Sequence, residues 1–485
     1  MGKLVAYLDD LLIIGSTKEE AIQSRDCVLF LLQKLGFSIN WEKSELRPSQ
    51  EMEFLGMIIN STTMTVWLPK EKVQKLLNLC QDTLKQEVIS LRNLASLIGK
   101  LQATSPAISM APMQVRALQQ DLIKGQQQEL MYESEVKLSL ESLGELRWWV
   151  NNITLSQGAP MKMGTPDTVI YTDASSGVGW GAFLEGGRST GGVWTKEEKA
   201  DLHINELELL AAEIALKTFL KDREAKLVHI FMDNMTALHY LTHKGGTKSV
   251  KLTLIAKRIW ELLDKNGIMI TASWIPSKEN KTADWRSRQR ANSSEWELSD
   301  QIFQKLTNRW GLPEIDCFAS RIMRKLPLYI SLNPDPESLT TNALYQNWGK
   351  YPYLFPPFCL MGRVLKILIN QETPKALLIA PLWPGQPWFP ILLSMLIAEP
   401  ILIPQKRNSL LNHMQESHPL VLNQTLHLAA FLVSGNNWRS RVFQNQLPVL
   451  WYRPGEQVQH MLTKRLGESG SCGVIRNRWI PLKHL

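Results

Sequence analysis

The sequence predicts a multidomain α/β protein. Three stretches carry that expectation. Residues 167–290 alternate apolar strand-like runs with helical ones, the pattern of a mixed sheet with flanking helices. Residues 5–8 and 11–14 flank Asp9-Asp10 as the arms of a β-hairpin would. From about residue 295 the texture changes, and Pro and Trp become frequent. A chain of 485 residues suggests roughly two to four domains.

In chain order, the hairpin is followed by Thr17 and Glu20, which fit a helix-starting capping box. Ala21, Val28, Leu31, Leu32 and Leu35 give that helix an apolar face, and Gly36 ends it. Residues 54–59 read as one further strand. Residues 69–150 are Leu-rich and mainly helical, and 151–166 carry the Gly, Pro, Asn and Ser of a linker. The expected divisions are therefore 1–68, 69–150, 151–166, 167–290, 295–435 and a tail at 436–485.

Composition narrows the class. Hydrophobic residues make up 44% and charged residues 21%, as in a globular protein with real cores. The net charge of +8 fits a nucleic-acid partner. Cys27, Cys80, Cys317, Cys359 and Cys472 are scattered with no CxxC pair, which argues against a disulfide framework and a Cys-type zinc site. The opening apolar run is too short for a signal peptide, and the most apolar later stretch, 391–403, is broken by Glu399 and Pro400. The expectation is an intracellular protein, cytoplasmic or nuclear, with no membrane partner.

Four acids stand in distinct contexts. Asp173 ends the run Val169-Ile170-Tyr171-Thr172, and Asp233 ends Val228-His229-Ile230-Phe231-Met232. Glu208 opens an Ala/Leu-rich helix, and Asp284 begins a last helix after Trp274-Ile275-Pro276. Strand ends and helix starts can meet at one sheet edge. Converging carboxylates repel unless cations neutralise them, so the set implies bound Mg²⁺ and two-metal phosphodiester hydrolysis.

In order and context these four resemble the type 1 ribonuclease H domain, over about 166–290. The resemblance makes Asp173, Glu208, Asp233 and Asp284 ligands of two Mg²⁺ ions, with Mn²⁺ as a substitute, and makes an RNA–DNA hybrid the substrate. Glu206 and Glu213 share the helix. Glu208 is chosen because it directly precedes Leu209-Leu210-Ala211-Ala212, where the family glutamate sits. Many family members carry a histidine before the last acid; here the stretch is Pro276-Ser277-Lys278-Glu279-Asn280.

Tyr7-Leu8-Asp9-Asp10 resembles the palm motif of reverse transcriptases, in which Asp9 and Asp10 would hold metal against a nucleoside triphosphate. Leu35-Gly36-Phe37-Ser38-Ile39-Asn40 with Lys43-Ser44, then Phe54-Leu55-Gly56-Met57, are similar to the palm segments that follow. The resemblance implies a partial palm and a helical thumb. A palm site needs a third Asp from an earlier strand, and the residues before Asp9 are not acidic. Polymerisation is therefore expected of a longer parent and not of this chain alone.

Asp316-Cys317-Phe318-Ala319-Ser320, Asn333-Pro334-Asp335-Pro336 and Phe355-Pro356-Pro357-Phe358 resemble the region after ribonuclease H in DIRS-like retrotransposons. That region is similar to adenine-N6 methyltransferases, which place Asp or Asn where Phe355 stands. The side-chain acceptor is absent here, so a degenerate C-terminal α/β domain is expected. Taken together, the sequence resembles a DIRS-like reverse transcriptase/ribonuclease H polyprotein. A decayed remnant that only binds nucleic acid is the alternative.

Overall fold

The computed structural model describes residues 2–449 and 470–485, apart from 87, 129–130, 222, 290–295 and 414. The boundary expected at 290–295 and much of the expected tail lie outside the described residues. The chain divides into two compact units, Met1–Pro166 with Thr236–Met269, and Asp167–Met235 with Ile270–Leu485.

In the first unit, strands Lys3–Tyr7 and Asp10–Ile14 form the expected antiparallel hairpin. Its turn is Leu8-Asp9, with Leu8 at φ 52°, so Asp10 lies in a strand opposite Tyr7 instead of at the tip. The helix Lys18–Lys34 starts at Thr17, whose hydroxyl accepts the Glu20 amide. The reciprocal bond goes elsewhere, because Glu20 accepts the Ser16 amide at 2.7 Å. No residue of this helix is buried, contrary to the expected apolar face. A single hairpin supplies too little surface to cover it.

The single strand expected at 54–59 is a hairpin, Glu51–Phe54 and Met57–Asn60. Leu55 and Gly56, at φ 49° and 68°, reverse the chain between them. Strand Thr65–Trp67 extends this sheet, and Ala159–Pro160, from the stretch read as a linker, pairs with it. Helices Lys70–Gln86, Leu91–Gln102, Arg116–Gln127 and Leu140–Asn152 follow. They pack around Leu76, Cys80, Leu94, Leu101, Leu118, Leu146 and Trp149. Helices Met235–Thr242 and Val250–Lys265 join this unit, where Arg116 donates to the carbonyl of His243.

Among the described residues the second unit holds two larger sheets, beside three two-stranded ones. One has five strands in the order Arg188–Val193, Gly179–Leu184, Thr168–Ala174, Leu227–Met232, Met269–Trp274. Its central strand, Thr168–Ala174, pairs antiparallel with Gly179–Leu184 and parallel with Leu227–Met232. The other has six strands, in the order Ile315–Asp316, Pro352–Leu354, Ala376–Pro381, Leu428–Val433, Ile401–Leu402, Lys483–His484. Ala376, Leu378 and Ala380 face one core and Leu377 and Ile379 another, so both faces of this sheet are covered. Trp388 and Phe389 are buried in the first of these cores, while Trp383 to Pro387 just before them are exposed.

Candidate metal centre

Sheet geometry brings the first three acids together. Asp173 lies near the end of the central strand, and Asp233 directly follows the parallel neighbour Leu227–Met232. Parallel pairing places the two carboxylates at the same sheet edge. Glu208 sits in the second turn of helix Ile204–Phe219, whose start is fixed by His203 and Glu206 in a reciprocal capping box. Ligand oxygens of Asp173, Glu208 and Asp233 all lie within 4.8 Å of one another.

The helix resolves its three glutamates. Glu206 accepts the His203 amide at 3.0 Å, and Glu213 accepts from Lys217 at 2.7 Å. Glu208 alone of the three joins the acidic group. Its Oε2 is buried with no hydrogen-bond partner.

The short helix Lys281–Ser287 approaches the central strand past a glycine. Gly181 stands opposite Asp173 in register, and a Cβ there would lie 2.2 Å from the Ala283 carbonyl. Two bonds fix the approach. Asn280 donates to the Thr172 carbonyl at 2.8 Å, and Ser287 donates to Asp173 at 2.5 Å. Asp284 is half-buried and lies outside the group of three. Its carboxylate accepts from Arg288 at 2.7 and 2.6 Å.

Sequence reasoning missed these supports. Ser277 donates to Asp233 at 2.5 Å, and the Trp274 indole donates to the Asp233 carbonyl at 2.9 Å. Ser287 and Arg288 stand three and four residues after Asp284. That is one helical turn, a spacing that could have marked them as neighbours.

Charge crowding shows in the acids themselves. Burial, aided by the charges of Asp173 and Asp233, pushes the Glu208 carboxyl up to about 9. Burial pushes Asp173 up to about 6, against the opposing bond from Ser287. Carboxylates this close ionise together only when a cation neutralises them. The oxygen-only donor set and the orphaned Glu208 oxygen fit a hard divalent cation.

Asp9 and Asp10 are exposed, and among the described residues neither belongs to a group of three potential metal ligands.

Comparison with known proteins adds one family. Residues 2–59 match the reverse transcriptase (RNA-dependent DNA polymerase) family. No curated protein matches the chain. Among solved structures, a foamy viral protease-reverse transcriptase in complex with double-stranded DNA is 18% identical, with a TM-score of 0.30. That match covers 56% of this chain and 46% of the viral one. The same viral enzyme with an RNA/DNA hybrid is 16% identical over 60% of this chain and 37% of its own, with a TM-score of 0.30. Ribonuclease H1 from Halobacterium salinarum NRC-1 is 21% identical over 24% of this chain and 92% of its own, with a TM-score of 0.21. The chain thus spans half or less of the length of these two viral structures. Among the described residues no helix is long and apolar enough to cross a membrane.

Proposed function

We propose that this chain is a DIRS-like retroelement reverse transcriptase/ribonuclease H protein. Its working site is the acidic group Asp173, Glu208 and Asp233 with Asp284, and its reaction is endonucleolytic cleavage of the RNA strand of RNA–DNA hybrids. The buried, unpartnered Glu208 oxygen inside a cluster of carboxylates is the observation that carries this proposal.

Asp173, Glu208 and Asp233 would hold the metal, with Mg²⁺ as the proposed ion, and Asp284 would complete the set on release from Arg288. Bound Mg²⁺ supplies activation of the attacking water and neutralises charge on the leaving 3′ oxygen. The chain's own residues orient that chemistry. Ser287 and Ser277 each fix one carboxylate rotamer by donating to it. Exposed Trp274 and Trp285 offer flat apolar surface beside the acids for sugar and base contacts.

Polymerisation is not part of this proposal; Asp9 and Asp10 belong to no group of three potential metal ligands among the described residues. In the C-terminal α/β part, strand Pro352–Leu354 runs into Phe355-Pro356-Pro357-Phe358, and Phe355 supplies a ring in place of a polar acceptor. We assign this part to a methyltransferase-like scaffold without methyl transfer. The proposed compartment is cytoplasmic or nuclear.

A rival proposal, a remnant that binds nucleic acid without cutting it, draws on the Asp284–Arg288 pair. A panel of labelled substrates separates the two. Cleavage of the hybrid with Mg²⁺, and not of single-stranded RNA, duplex RNA or duplex DNA, supports the nuclease. Binding of the hybrid with no cleavage supports the rival.

A further inference from the structure

Residues 434–449 hold two arginines, one tryptophan and no acid. They follow strand Leu428–Val433 of the six-stranded sheet and form helix Asn437–Gln446 in the second unit. Asn436 caps it, its side chain accepting the Trp438 amide at 2.9 Å. Ser440, Gln444 and Leu447 are buried and fix the inner side of the helix. Spacings of three and four residues put Trp438, Arg441, Val442 and Asn445 along the outer side, and all four are exposed.

Packing and helix stability do not account for these choices. Trp438 is the most exposed tryptophan among the described residues, at 73%. Arg439, in the first turn, opposes the helix dipole, which favours acids there. Several cations of this unit are paired with acids, Arg321 with Glu198, Arg324 with Glu337 and Lys325 with Glu297. Among the described residues Arg439 and Arg441 have no acidic partner, and neither do Lys375, Arg476 and Arg478. Arg439 donates instead to the Pro374 carbonyl at 3.2 Å, which sets it beside Lys375. Burial, aided by the charge of Arg439, holds the Lys375 ammonium below its usual range. At the other end of the helix Arg478 donates to the carbonyls of Asn445 and Leu447 at 2.9 and 2.6 Å. Exposed Arg476 stands two residues before it, in the hairpin turn. The adjoining residues 371–380 contribute a single acid, Glu372.

Charge and shape set the class of partner. Cations gathered without acids repel one another, and a polyanion laid among them relieves that repulsion. The indole asks for more than phosphate, because its flat face suits a stacked ring. In a duplex the bases already stack on each other, so a free base face belongs to a single strand. Val442 is the one aliphatic side chain on the outer stripe, too little for an apolar protein interface. A helix of ten residues is about 15 Å long, the span of a few nucleotides. We propose that the outer side of helix Asn437–Gln446 binds single-stranded nucleic acid, stacking a base on Trp438 and holding phosphates with Arg439 and Arg441. This surface uses none of the four acids of the metal centre, so it stands whether or not that centre cleaves a hybrid.

Fluorescence anisotropy of the intact chain tests this, with short labelled oligothymidylate and oligouridylate in separate arms. A chelator is present throughout, so no metal-dependent cleavage intervenes. At least one oligonucleotide is expected to bind, and a preference between them identifies the strand as DNA or RNA. Trp438→Ala is expected to weaken that binding about tenfold through lost stacking, with the salt dependence unchanged. Arg441→Ala is expected to weaken it and to reduce the slope of log affinity against log salt by about one. Both side chains are exposed, and circular dichroism checks that each variant keeps the fold. Oligonucleotide binding indifferent to both variants, or no binding by the folded chain, overturns the proposal. Vesicles of phosphatidylserine and phosphatidylcholine form a third arm. Vesicle binding that responds to the variants while oligonucleotide binding does not overturns it in favour of a lipid surface.

Discussion

The Ser287 hydroxyl donates to the Asp173 carboxylate at 2.5 Å, and both side chains are buried. This bond joins helix Lys281–Ser287 to the central strand at the point where the acids meet. A hydrogen bond to a charged group contributes about 1.5–3 kcal/mol. Ser287→Ala is expected to lower unfolding free energy by about that amount and to weaken Mg²⁺ binding. Denaturant unfolding and metal titration check it; an unchanged metal affinity would show that the serine does not position Asp173.

Arg288 pairs with Asp284, and at the proposed site it would compete with metal for that carboxylate. The pair is largely exposed on the arginine side, at 70%, so it contributes no more than about 1 kcal/mol. Arg288→Ala is therefore expected to tighten Mg²⁺ binding by up to about fivefold. Weaker binding in the variant would mean that Arg288 supports the site instead of occupying it.

The raised carboxyls give a pH signature. Glu208 and Asp173 ordinarily titrate near 4.5 and 3.8, and in the folded chain they rise to about 9 and about 6. The folded state then holds protons that the unfolded state has released, so metal-free stability falls as pH rises across that window. At the proposed site a divalent ion would replace those protons. Mg²⁺ is expected to raise the thermal midpoint more at about pH 8.5 than at about pH 5.5. Differential scanning calorimetry reads the difference; an equal rise at both would count against metal binding at these acids.

In the first unit Glu145 accepts the amides of Ala117 and Leu118 at 2.8 and 3.1 Å, capping helix Arg116–Gln127 from within the core. Burial nonetheless pushes its carboxyl up from 4.5 to about 7. Its contribution is full below about pH 4.5 and is lost as pH rises through 7, a change of about 3 kcal/mol. Glu145→Gln is expected to flatten that part of the stability–pH profile. A profile unchanged by the substitution would place the titration elsewhere.

Some of this was legible in residue order and some was not. Runs such as Val228 to Met232 are apolar enough to identify strands, and Leu209-Leu210-Ala211-Ala212 marks a buried helix face. The contexts of Asp173, Glu208 and Asp233 placed them at element ends, where the sheet could bring them together. Asp284 was harder, because its carboxylate depends on Arg288, one helical turn away. The reversal at Leu55-Gly56 was missed because the apolar run was read straight through Gly56, the one residue that marks the turn. The pairing of Ala159–Pro160 with Thr65–Trp67 was missed because that contact is remote in sequence and the segment has the polar composition of a linker.

The most direct test of the metal centre is cleavage of a labelled RNA–DNA hybrid in Mg²⁺ by the parent chain and by Asp233→Asn. The substitution keeps the shape of the side chain and removes one negative ligand from the acidic group. The expected result is RNA-strand cleavage by the parent, reduced on the order of a hundredfold or more in the variant. No cleavage by a folded parent chain, or equal cleavage by both proteins, would contradict the assignment.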